Sequence, residues 1–371
     1  MSRFAFELAG AEHDLSLRRL FAETEMDGEI KISFRREPSY FHASRVQGPF
    51  YQVVAARDTL TSEVVGVGTR AVRPGFLNGA VAPVGYLADL RLAPPYRGGP
   101  LVARAYRHLN ELDRDGRTEI YFTVIAEGNR HALQTLAAGR AGIPPYRDFG
   151  RVLSPAVNLR RRKPAGPAGV EIRRGTVDLL PEIVDCINRN HRRRQFAPCY
   201  AVADFRSADA DEAPATRGFR VEDFYVALRG GKIRGVLGKW DQSSFKQAVV
   251  TGYAKRLLAL RPALNFAARL TGGPVYPPPG TELRFFHASF IAVDDDDLVV
   301  FAALLRRLYN DHVGAGYDYF VLGLHERDPL TAALRDYCST PFAARLFVVC
   351  FDQRAVRALD RRVPYVEAAA F

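Results

Sequence analysis

The run Gly85-Tyr-Leu-Ala-Asp-Leu-Arg-Leu-Ala-Pro-Pro-Tyr-Arg-Gly-Gly-Pro-Leu-Val-Ala-Arg104 decides how the rest of the chain is read. It places a strand-forming segment, a glycine-containing turn and a helix start in immediate succession. In that order the backbone N–H groups of the turn and the unsatisfied N–H groups of the helix's first turn converge on one spot, where the helix dipole also favours negative charge. A phosphate suits such a spot. Pro100 has no N–H and costs the loop one donor, but proline is favoured at the first helical position, which leaves Arg97, Gly98, Gly99 and Leu101 to donate.

Working outward, the pattern predicts strands at Phe4 to Leu8, Phe50 to Arg57, Val64 to Val72 and Gly85 to Leu92, and helices at Asp14 to Glu25 and Pro100 to Leu112. A strand at Glu119 to Ile125, a helix at Asn129 to Ala138 and closing strands from Phe149 to Leu159 follow. Residues 160–169, basic and then rich in Pro, Gly and Ala, read as a linker. After it the grammar repeats: strand Glu171 to Arg173, helix Leu179 to Asn190, a hairpin of Phe224 to Leu228 and Lys232 to Lys239, strand Arg284 to Val293, helix Leu298 to Val313, strand Tyr317 to Leu324 and helix Pro329 to Tyr337. A shift of 199 positions aligns the two units without a gap, placing Leu92 on Ile291, Glu119 on Asp318 and Asn129 on Asp328. The expected architecture is therefore α/β with mixed sheets, in two copies: residues 1–159 and residues 170–371.

The Leu92, Pro94, Tyr96, Arg97, Gly98 run resembles the acyl-CoA-binding motif of the GCN5-related N-acetyltransferase (GNAT) superfamily, and the element order resembles that family's layout. The resemblance implies that the turn holds the diphosphate of acetyl-CoA or a longer acyl-CoA. It further implies that the backbone of Leu90, Arg91 and Leu92 holds the pantetheine arm, and that Asn129 stands near the cofactor, although an N-cap role explains Asn129 equally well. The acceptor would be an amine on a small molecule or a peptide. In the second copy Arg97 falls on Asp296, within Asp294-Asp-Asp-Asp297, so like charges would repel a diphosphate there. That copy is expected to shape the site of the first. The acid run itself reads as a complement to a helix N-terminus, with a divalent metal site as the weaker reading.

Acyl transfer from a thioester to an amine needs a placed thioester, a polarised carbonyl and a route for the amine's proton. Asp89, on the strand beside the expected thioester, is the candidate base; pairing with a neighbouring arginine is its alternative reading. The tyrosine that many family members use to reprotonate the thiolate would fall on Leu136, which leaves Tyr146 as the substitute candidate or as an ordinary aromatic lid. The segment Glu23 to Tyr40 reads as a mixed-charge acceptor surface. Trp240 to Gln247 reads either as a cluster facing a cleft or as a solvated turn.

The formal net charge is +11, and only six of the 52 basic residues are lysine. Such a surface favours anionic partners. The basic runs Arg160 to Lys163 and His191 to Arg194 lack interleaved aromatics, so nucleic acid is expected only under an alternative in which a Fem-like enzyme takes its acyl group from aminoacyl-tRNA. A non-catalytic scaffold with two decayed copies is the other alternative. The helix candidate from Tyr253 to Leu270 is expected to pack across the two copies, with a membrane-surface contact as the lesser option. Four scattered cysteines, no zinc-type His/Cys spacing, no apolar span and acidic Glu7, Glu12 and Asp14 near the start point to a cytoplasmic protein with no metal site.

Overall fold

The computed structural model describes residues 3–26, 28–137, 139, 142–206, 215–271 and 273–371. Its first part runs β1 (Phe4–Leu8), α1 (Asp14–Glu23), β2 (Ile30–Arg35), α2 (Tyr40–Arg45), β3 (Phe50–Asp58), β4 (Val64–Leu77), β5 (Ala80–Leu92), α3 (Leu101–Leu112), β6 (Tyr121–Ala126), α4 (Arg130–Leu136), β7 (Tyr146–Leu153) and β8 (Ala156–Asn158). Its second part runs β9 (Glu171–Arg174), α5 (Leu180–His191), β10 (Phe224–Arg229), β11 (Lys232–Trp240), β12 (Gln247–Tyr253), α6 (Lys255–Thr271), β13 (Phe285–Val293), α7 (Leu298–His312), β14 (Tyr319–Val321), β15 (Leu324–His325), β16 (Ser339–Thr340), β17 (Ala343–Val349) and α8 (Gln353–Arg357). The segment expected as a helix at Pro329 to Tyr337 is a 3-10 helix, Pro329–Asp336.

Two large sheets result. One has the order β1-β3-β4-β5-β6-β17-β7-β15 and the other β16-β8-β14-β13-β11-β10-β9, with β12 and β2 forming a separate antiparallel pair. Residues 160–169 carry neither helix nor strand. Strands nevertheless cross that stretch in both directions: β8 joins the second sheet, while β15 and β17 join the first. β17 pairs antiparallel with both β6 and β7, filling the gap between them.

Periodicity explains the layers. In α7 the buried residues Val300, Phe301, Leu304, Leu305 and Leu308 recur at helical spacing, and the helix starts where the Asp297 carboxylate accepts from Val299 N at 2.8 Å and Val300 N at 3.2 Å. A third cluster joins the parts: Val84, Tyr86 and Phe122 of the first sheet pack with Phe196, Leu346, Val348 and Val366. The segment from Tyr365 to Ala370 is buried throughout and threads between the two sheets.

Two histidines are enclosed in this interior. His191 Nδ1 lies 2.7 Å from the Pro198 carbonyl, and burial pushes its pKa down from 6.5 to about 4; burial and the neighbouring Lys246 bring His287 to about 3. Both bind fewer protons folded than unfolded between those values and about pH 6.5, so the stability they preserve is present above pH 6.5 and lost as pH falls. The thermal unfolding midpoint should be lower at pH 5 than at pH 7, and His191→Gln should show a smaller fall over that interval. Calorimetry at constant ionic strength checks both.

Candidate functional site

The site begins where two strands separate. β5 and β6 are parallel partners only at Gly85–Tyr121 and Tyr86–Phe122. At the next position a side chain takes over from the ladder, the Thr123 hydroxyl donating to the Leu87 carbonyl at 2.8 Å. Gly85 is required at the point of divergence, because a Cβ there would meet Tyr121 Cδ1 at 2.2 Å. On its other side β5 slips register against β4 between Val67 and Thr69, and within this bulge Asp89 has φ +55°. A cavity of about 610 Å³ opens between the parted strands.

One end of the cavity lies at the start of α3, which begins after Pro100 without any side-chain cap on its first-turn N–H groups. Arg97, Leu101, Asn129, Arg130 and His131 line this end. Gly98 has φ +80° and, like Gly99, has open space where a Cβ would stand. Tyr96 does not line the cavity; its hydroxyl donates to Asp58 at 3.2 Å, and Arg3 donates to the same carboxylate, so it anchors the loop. Asn129 Oδ1 accepts from Ala132 N at 3.0 Å and caps α4.

Leu90, Arg91 and Leu92 all line the cavity. The Arg91 guanidinium turns away toward α1: it donates to the Thr24 carbonyl at 2.6 Å and lies 4.1 Å from the Phe21 ring centre, where burial lowers its pKa to about 10. Asp89 is also at the wall and is not alone. Gln47 Nε2 donates to it at 2.9 Å, and Arg36 Nη2 stands 3.5 Å away, with both members of the ion pair almost wholly buried. Tyr146 reaches the same cavity, its hydroxyl bonded to that of Tyr106. Burial pushes Tyr106 up to about 12 and Tyr146 well above its ordinary value, so both stay protonated. Leu136 is buried at the wall.

Sequence reading did not single out Tyr106, Gln47 or Phe371, and it placed Arg36 on the surface. The inward spacing of Val102, Tyr106 and Leu109 in α3 was available as a signal for Tyr106. Gln47 and Arg36 reach Asp89 only through the packing of three elements. Trp240 to Gln247 is not a solvated turn: Trp240, Gln242 and Phe245 are buried, and Lys246 Nζ donates to the carbonyls of Ala369 and Phe371, each at 2.8 Å. Burial drives the Lys246 pKa well below the ordinary lysine value.

The second sheet shows a similar parting of strands and closes it. β13 and β14 are parallel partners from Phe285 to His287 and then part, and Phe290 has φ +56°. At that bulge the Glu367 carboxylate accepts from Phe290 N at 2.9 Å, and Ile291 N donates to Tyr365 Oη at 3.2 Å. Where the first copy has its glycine turn, the acid run is tied to arginines. Asp294 pairs with Arg189 at 2.9 Å, Asp296 with Arg193 at 3.2 Å and Arg194 at 2.5 Å, and Asp297 with Arg229 at 2.8 Å. Within the basic run His191 to Arg194, Arg193 and Arg194 are thus engaged by Asp296.

No family model and no curated protein sequence matches the chain. Solved structures do. Saccharomyces cerevisiae N-myristoyltransferase with bound myristoyl-CoA superposes with a TM-score of 0.60 at 11% identity, over 94% of this chain and 79% of that one. A GCN5-related N-acetyltransferase from Sphaerobacter thermophilus superposes with a TM-score of 0.55 at 12% identity, over 100% of this chain and 99% of the other. At this identity the likeness is one of fold, and the fold is that of the GNAT acyltransferases expected from the sequence.

Breaking a buried ion pair strands the remaining charge, which costs about 3–5 kcal/mol. Arg36→Met should destabilise the protein by an amount in that range, and Asp89→Asn in the same background should recover most of it. Urea unfolding of the two single variants and the double variant measures the cycle.

Proposed function

We propose that this chain is an acyl-CoA-dependent N-acyltransferase whose first copy, residues 1–159, binds acetyl-CoA or a longer acyl-CoA, and whose second copy, residues 170–371, completes the pocket for an amine on a small molecule or peptide. The observation that carries this reading is one cavity joining an uncapped helix N-terminus, flanked by Arg97, Arg130 and His131, to the bulge of a parted strand. The first end suits a diphosphate. The second offers strand backbone that has left its ladder, able to hold an amide-bearing arm and to polarise a thioester carbonyl. The walls between, including Val67, Leu87, Leu92 and Val102, are apolar and suit an alkyl or pantetheine chain.

In this reading the amine nitrogen attacks the thioester carbonyl carbon, the C–S bond breaks, and the thiolate takes a proton. Asp89 at the bulge accepts the amine's proton directly or through water, its charge being balanced by Arg36 between turnovers. Tyr146, kept protonated by burial, is the proton donor to the thiolate, with Tyr106 as the hydroxyl that resupplies it. Arg193 and Arg194 are engaged by Asp296 and so are less disposed toward RNA, which favours a coenzyme A thioester over an aminoacyl-tRNA donor.

Calorimetric titration with acetyl-CoA should give micromolar binding, and Arg97→Glu should weaken it by about ten- to a hundredfold, the worth of a charge-assisted contact. No binding by the unaltered protein overturns the proposal. In an amine screen, Tyr146→Phe should lower kcat by about a hundredfold while leaving the affinity for acyl-CoA unchanged.

A further inference from the structure

Helix α6 is built inside out. Its inward side consists of Leu257, Arg261, Asn265 and Ala268, spaced at i, i+4, i+8 and i+11. Much of the attachment there is polar. Arg261 Nε donates to the Tyr276 carbonyl at 2.9 Å, and Asn265 exchanges two hydrogen bonds with the backbone of Tyr276, at 2.9 and 2.8 Å. The outward side is apolar, with Ala259, Leu260, Ala263, Phe266 and Leu270 facing solvent; Phe266 and Leu270 are each 65% exposed and Leu260 is 47% exposed. The expectation that this helix packs across the two copies is not met: Ala268 is its only fully buried residue among those described.

An apolar face held outward by a polar attachment is not a by-product of packing, because the same residues turned inward would have been more stable. The chain through it is basic, with the exposed Glu29, whose carbonyl accepts from Ala254 N at 2.9 Å, beside the helix start. No Asp or Glu occurs from Gln242 to Thr281, while Lys255, Arg256 and Arg269 lie on the helix itself. The basic linker adds to this: Arg161 Nη2 donates to the Leu270 carbonyl at 2.9 Å, bringing the exposed run Arg160 to Arg162 to the helix C-terminus.

We infer that α6 and the adjoining arginines form a docking surface for an anionic lipid bilayer, with Phe266, Leu270 and Leu260 entering the headgroup–acyl boundary and the basic residues meeting the lipid phosphates. An exposed apolar face on a helix whose own charges are all arginine and lysine is complementary to that surface. A second copy of the chain is a poorer occupant, since a symmetric contact through this face would set arginines against arginines. The helix is short of a membrane span, and no described helix is long and apolar enough to cross one; the contact is with one leaflet.

Vesicle sedimentation tests this with the full chain. The protein should pellet with phosphatidylcholine vesicles containing phosphatidylglycerol, bind pure phosphatidylcholine at least about tenfold more weakly, and be released by high salt. Phe266→Glu with Leu270→Glu should reduce binding by about tenfold or more while leaving the far-UV circular dichroism melt unchanged. Absence of binding to the anionic vesicles at low salt overturns the inference, as does binding that the double variant leaves intact. A dimer in light scattering that the double variant dissociates, with no vesicle binding, assigns the face to a second copy instead and also overturns it. None of these readings depends on the acyl-CoA site.

Discussion

The two-residue partnership of β5 and β6 is the constraint on which the rest of the site depends. Had the ladder continued past Tyr86, the backbone from Leu87 to Leu92 would be spent on β6 and no cavity would exist between them. Three local devices keep the strands apart: the small Gly85 at the crossing point, the Thr123 hydroxyl that satisfies Leu87 where the ladder stops, and the bulge that holds Asp89 at positive φ. Each satisfies a backbone or packing demand that the parting would otherwise leave open. The candidate site is thus placed by an interruption of regular structure, flanked by elements regular enough to hold it open.

The second sheet shows what happens when a similar interruption is present but its openings are filled. Its strands part, its bulge is present, and the N–H groups there meet Glu367 and Tyr365 from the buried segment between the sheets. Its turn is an acid run already compensated by Arg189, Arg193, Arg194 and Arg229. Charge alone would have argued that a diphosphate is repelled there; the structure adds that the polar groups it would need are already partnered. One sheet is thereby open at its bulge and the other sealed, and the sealing segment also brings Phe371 to the wall of the open cavity.

Much of this was legible in the sequence, and the residues that were not share a physical cause. The strand, turn and helix around Gly85 to Arg104, and the repeat at a spacing near 199, are local patterns, whereas the positive-φ bulges at Asp89 and Phe290 are a feature no periodicity records. Asp89, Leu90, Arg91, Leu92, Arg97, Leu101, Asn129 and Tyr146 were all singled out and all line one cavity, whereas Gly98 and Gly99 lie outside its lining and Tyr96 anchors its loop. β2 and β12 escaped although Ile30, Ile32 and Phe34 alternate with Lys31, Ser33 and Arg35, because their partnership joins segments more than 200 positions apart and no local pattern records it. Arg36 looked like surface because a charged residue in a mixed-charge stretch normally is; only the burial of Asp89 beside it makes its position favourable.

β17 has a consequence for how the protein comes into being. Its residues, Ala343–Val349, fill the gap between β6 and β7, strands made about two hundred positions earlier. Until they are synthesised, β6 and β7 have no neighbour on their facing edges, and one wall of the future cavity offers unpaired N–H and C=O groups to any passing strand. The half that would bind the thioester therefore closes late, through contacts of very large sequence separation, which are the slowest to form and the most exposed to mispairing. A fragment ending in the linker would inherit that open edge permanently.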